Sequence, residues 1–63
     1  MERDVNVQWI LDWLDDSSRN FNARMMVVRA LRSFKVLGFT AAEACYILRG
    51  EIESVDRFYA GEN

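Results

Sequence analysis

An all-α fold, a small bundle of four short helices, is expected from three features of the sequence. Apolar residues recur at spacings of three and four along most of the chain, the period of a helix with one buried face. Proline is absent and glycine occurs only three times. Capping residues stand where the periodic stretches begin and end.

The first helix is expected at about residues 4–15, DVNVQWILDWLD. Its apolar residues, Val7, Trp9, Ile10, Leu11, Trp13 and Leu14, cover roughly 200° of the circumference, where a helix resting on a core needs roughly 100°. One neighbour does not cover so wide an arc, so a partner is expected to share it. DDSSRN follows, and Ser18 or Asn20 can accept the free backbone N–H groups of the next helix. That second helix, at about 21–37, should stop at Gly38, because glycine accepts the left-handed angles that close a helix. Its expected core stripe is Met26, Val27, Ala30, Leu31, Phe34 and Leu37. The β-branched run MMVV, residues 25–28, competes as a strand, but helical periodicity holds on both sides and no hairpin turn is near.

Thr40 and Glu43 form a T-x-x-E capping box that starts the third helix, at about 40–49, with Phe39 placed to pack on Ala44. Gly50 is read as its end. The fourth helix, at about 52–60, carries Ile52, Val55, Phe58 and Tyr59 on one side and closes at Gly61. No linker, repeat or composition shift divides the 63 residues, so one helical domain, 1–63, is expected.

Composition narrows the function. With 51% hydrophobic and 13% aromatic residues the chain is too apolar for a disordered segment. A chain this short buries only about 60% of its unfolded surface and gains from a partner or a second copy. There is one cysteine, Cys45, and no histidine, which removes the familiar zinc patterns and any internal disulfide. Acidic residues flank the first apolar run, unlike a signal peptide, and no run approaches the roughly 18 apolar residues of a membrane span. A cytoplasmic protein is expected, with no metal, no cofactor and no membrane association.

Catalysis finds no inventory either. There is no glycine-rich phosphate loop and no nucleophile beside a base, and Cys45 lies mid-helix among apolar neighbours, where a thiol is inert. The carboxylate pairs Asp15/Asp16 and Glu51/Glu53 fall at expected helix ends. Neither an enzyme nor a small-molecule substrate is expected.

Charge is segregated along the chain. Residues 1–16 hold five acids and one arginine, residues 17–35 five cations and no acid, and residues 36–63 five acids and two arginines. On the outer face of helix two, Arg24, Arg29, Arg32 and Lys35 alternate with Phe21, Met25, Val28 and Val36. Two roles follow. The cations can pair with the acidic helices, within the chain or across an interface, or they can contact phosphate as a nucleic-acid-binding regulator would. Residues 40–61 even have the outline of a DNA-binding helix-turn-helix. The would-be recognition helix, however, offers Glu51, Glu53 and Asp56 against one Arg57, a charge that phosphate repels.

A different likeness lies in Leu37-Gly38-Phe39, preceded by Val27, Leu31 and Phe34 and followed by an acidic helix that ends in Phe58 and Tyr59. This arrangement resembles the ubiquitin-associated and CUE domains, three-helix modules that bind ubiquitin, over residues 27–60. The resemblance implies that a ligand would meet Leu37, Gly38, Phe39, Phe58 and Tyr59. Its second loop is about three residues shorter than that family's.

The function expected from the sequence is a small non-enzymatic protein-interaction module, a regulator or adaptor working through a hydrophobic helical face, as a homodimer or with a protein partner. Its contact residues are read as Trp9, Trp13, Phe21, Met25 and Val28, joined by the five of the ubiquitin-associated-like surface. The alternative is the nucleic-acid-binding regulator using Arg24, Arg29, Arg32 and Lys35.

Overall fold

The computed structural model describes residues 2–61, with side chains described from residue 2 to 58. Three helices follow one another: α1 (Val5–Asp15), α2 (Phe21–Val36) and α3 (Ala41–Gly61). No strand occurs among the described residues, and residues 25–28 lie inside α2.

Each boundary has a local cause. The Asp4 carboxylate accepts the N–H groups of Asn6 at 2.8 Å and Val7 at 3.2 Å, which starts α1. After α1 ends, Asp16 takes the Ser18 hydroxyl at 2.6 Å and the Ser18 N–H at 3.0 Å, and the chain turns. Asn20, not Ser18, caps α2 by accepting from the Ala23 N–H. At the other end Gly38 adopts a φ of 90°. The Gly38 N–H then reaches the Lys35 carbonyl and the Phe39 N–H the Phe34 carbonyl, both at 3.0 Å. This is the paired bonding of a Schellman ending, and its usual apolar contact is present: the Phe34 and Phe39 rings meet edge to face, centroids 5.0 Å apart. Phe39 thus packs back onto α2. The Thr40 hydroxyl accepts the Glu43 N–H at 3.1 Å while Glu43 accepts the Thr40 N–H at 3.0 Å, so the capping box forms in full.

Four helices are expected from the sequence; three are found, because Gly50 does not end α3. A glycine inside a helix costs only about 1 kcal/mol against alanine, and the segment spans it in two ways. Arg49 bonds Glu53 at 2.7 Å across the glycine, and the apolar row continues through Leu48, Ile52 and Val55 at helical spacing. Neither Gly50 nor Glu51 is one of the short side chains, Ser, Thr, Asp or Asn, that accept the first N–H groups of a new helix.

The buried cluster is Ile10 and Trp13 of α1, Val27 of α2, and Cys45 and Leu48 of α3. α3 is the central element, since α1 and α2 both pack on it and touch each other least. Two members of the expected α2 core stripe lie outside it: Met26 is 67% exposed and Leu37 73%. The stripe is centred on Val27 and Phe34, which leaves Met26 about 100° away around the helix, and Leu37 falls beyond the last helical turn.

Candidate interaction surface

Between α2 and the C-terminal half of α3 runs an open groove of about 650 Å³. Ala23, Met26 and Ala30 form one wall, and Leu48, Ile52 and Val55 the other. The groove exists because small residues face α3 from α2 while α3 runs on past the reach of α1. Its acidic flank is Glu51 and Asp56, and Arg19 stands at one end. Arg19 lies 4.0 Å from Asp56 and 3.7 Å from Asp16, with its guanidinium 5.1 Å from the centre of the Trp13 ring.

Trp13, expected as a contact residue, is buried in the core at 9% exposure, where it lines the groove. Trp9 is half-buried beneath the Arg49 guanidinium, also 5.1 Å from the ring centre. Arg49 is itself held by Glu53 and by the Asn6 amide oxygen at 3.3 Å. The wide apolar arc of α1 is therefore covered largely from within, by the core and by two arginines whose planar heads suit aromatic faces. Sequence spacing carried no sign of this, since Trp9 and Arg49 lie forty residues apart.

The remaining contact candidates are spread out. Phe21 is exposed, and Met25 and Val28 are half-buried. Leu37, Gly38 and Phe39 sit at the turn into α3, and Phe58 is exposed near its far end, roughly 25 Å along the helix at 1.5 Å per residue. The Tyr59 side chain lies outside the described residues. Over residues 27–60 the chain forms the end of α2, one turn and one continuous helix, so the two halves of the ubiquitin-associated-like surface lie apart.

The basic segment divides as well. Arg24 is half-buried close to Asp16, whereas Arg29, Arg32 and Lys35 are exposed and form no ion pair among the described residues. Of the expected pairing between the basic segment and the acidic helices, the ion pairs within the chain among the described residues are those of Arg19.

Among the described residues three groups are shifted from their ordinary values. The Ser18 hydroxyl and N–H, then Arg19 and Arg24, hold the Asp16 carboxyl low. The Thr40 N–H and hydroxyl do the same to Glu43. Burial, with Asp4 nearby, pushes the Cys45 thiol up, which favours the unreactive neutral form. Among the described residues no three histidine, cysteine or acidic side chains gather where a metal could bind, and no helix is long and apolar enough to cross a membrane.

The surface missed in the sequence is the groove itself. Sequence spacing places Met26 in the core and Val55 on a separate fourth helix; only the continuity of α3 puts them on facing walls. No protein-family model, curated protein or solved structure matches this chain.

Proposed function

We propose that the chain is a small protein-interaction module, a regulator or adaptor that engages a protein partner through the α2–α3 groove. The observation that carries this reading is the balance of apolar surface. Among the described residues eleven large apolar side chains are exposed and six apolar residues are buried, and the exposed Met26 and Val55 lie on either side of one concave channel. Contiguous apolar surface of this kind marks contact sites, and grooves between helices receive amphipathic helices. The resemblance to ubiquitin-associated domains belongs to the same class of function and adds ubiquitin as a defined probe.

Photo-crosslinking tests the reading. A benzophenone side chain placed at position 26 in the full chain, in its native cells, should yield protein adducts, and Val55→Glu should abolish them. The same probe at position 32, outside the groove, should yield few. No protein adduct from position 26 overturns the proposal.

One observation favours a second reading, that α2 binds nucleic acid: Arg29, Arg32 and Lys35 stand free of ion pairs among the described residues. Three phosphate contacts lose only roughly fortyfold in affinity between 50 and 200 mM salt. This is a weak electrostatic grip for a specific regulator, which ranks the reading second. Binding to duplex DNA with that salt slope, lost in an Arg29→Glu/Arg32→Glu variant, would move it first.

A further inference from the structure

We infer that the occupant of the groove is a second copy of this chain, in a two-fold dimer that lays α2 of each copy across α3 of the other. The inference rests on the interaction reading above and names its partner. Charge decides the arrangement. The α3 side of the groove is acidic, with Glu51 and Asp56, and Glu51 forms no ion pair among the described residues. What fits beside it is a helix with an exposed apolar edge next to a cation. α2 is such a helix, since Met26 is followed one turn later by exposed, unpaired Arg29.

A two-fold interface uses the same patch on both copies, so groove must meet groove. With the symmetry axis in the plane of the groove and crossing the helices, α2 would face α2 and Arg29 would oppose its own copy. With the axis in that plane and parallel to the helices, each α2 lies over the partner's α3, Met26 enters the partner's channel, and cation faces carboxylate at both symmetric positions. Like charges placed opposite one another cost affinity, whereas complementary ones fix register.

Size is consistent with such a dimer. A standard interface takes about 800 Å² from each partner, roughly a sixth of the 5095 Å² that the chain exposes.

Sedimentation equilibrium of the full chain through the micromolar range tests the inference, with a mass of twice 7.4 kDa expected. Met26→Glu should weaken association by about thirtyfold or more, the loss typical of a central anchor. Circular dichroism should remain helical, because position 26 is exposed in the single copy. Arg29→Glu and Glu51→Arg should each weaken the dimer by roughly three- to tenfold, and the double exchange should restore it, which a general loss of folding would not do. A chain that stays monomeric to millimolar concentration, or a dimer unaffected by Met26→Glu, overturns the inference. A monomer whose position-26 adducts contain only other proteins overturns it too, but leaves the interaction reading standing. Absence of every protein adduct removes both.

Discussion

Two tryptophans four residues apart on an eleven-residue helix give this small molecule much of its core and two of its polar contacts. Each ring is covered on one face by a guanidinium at 5.1 Å, Arg19 over Trp13 and Arg49 over Trp9. The arrangement adds on the order of 0.5–1 kcal/mol where solvent reaches it, and the arginine stems cover ring carbon that a partner would otherwise have to cover. Trp13 matters more, because it belongs to the buried cluster that residues of all three helices form. Trp13→Ala should destabilise by about 3–5 kcal/mol. A chain of this length holds only about 3–9 kcal/mol in total, at 0.05–0.15 per residue, so the variant should be largely unfolded at 37 °C. Trp13→Phe retains much of the ring and removes the N–H that has no hydrogen-bond partner among the described residues, and should cost no more than about 1–2 kcal/mol. Urea titration followed by circular dichroism separates the two. A Trp13→Ala protein as stable as its parent would show that the ring belongs to a surface after all.

The helices show which signals a sequence carries openly. The ends of α2 and the start of α3 were legible because their causes lie within four residues: Asn20 accepting from Ala23, Gly38 at φ 90°, and Thr40 exchanging bonds with Glu43. Gly50 was misread because a glycine closes a helix only where the following chain lets it take a positive φ. There, the Arg49–Glu53 pair and the Leu48, Ile52, Val55 row keep the backbone helical, and the lack of a capping residue at 51 was the available warning. The groove was illegible for a related reason. It depends on the angle at which α2 meets α3 and on whether α3 is one helix, neither of which local spacing encodes. The two glycines give opposite predictions. At Gly50 a Cβ meets nothing within 4 Å and φ is not positive, so Gly50→Ala should stabilise by about 1 kcal/mol and raise Tm by roughly 4–8 °C. At Gly38 the space is equally open, but the positive φ makes Gly38→Ala cost about 1–2 kcal/mol. A fall in Tm for Gly50→Ala would mean that α3 bends at that position in solution.

For the molecule as a whole, the distribution of titrating groups predicts how stability follows pH. Asp16 and Glu43 are held below their ordinary values of 3.8 and 4.5 by bonds that exist only in the fold. Their contribution is complete above those values and is lost as pH falls through the lowered ones, when the proton displaces the bond from Ser18 or Thr40. Both carboxylates are exposed, so each loss is small; the larger acid effect is collective. Ten acids offset eight cations at pH 7, and as the acids are neutralised the five cations of residues 17–35 lose the field of the flanking acidic segments. Arg19 then loses both Asp16 and Asp56 as ionised partners, and the net positive charge disfavours the compact state. At the alkaline end the only cysteine is raised above its ordinary 9.0, so what it contributes is complete below that value and fades as pH climbs through the raised one. No histidine is present, and no other side chain has an ordinary value between about 5 and 8. Thermal melts at fixed protein concentration and ionic strength should therefore trace a plateau in Tm from about pH 5.5 to about pH 8.5, with a decline below about pH 4.5 that steepens toward pH 3. Thr40→Ala should destabilise the protein across the plateau by about 1 kcal/mol and reduce, without removing, the part of the acid decline that Glu43 supplies, since the N–H at position 40 remains. A step in Tm between pH 6 and 7.5 would contradict this distribution of charge, since no side chain in the sequence ordinarily titrates there.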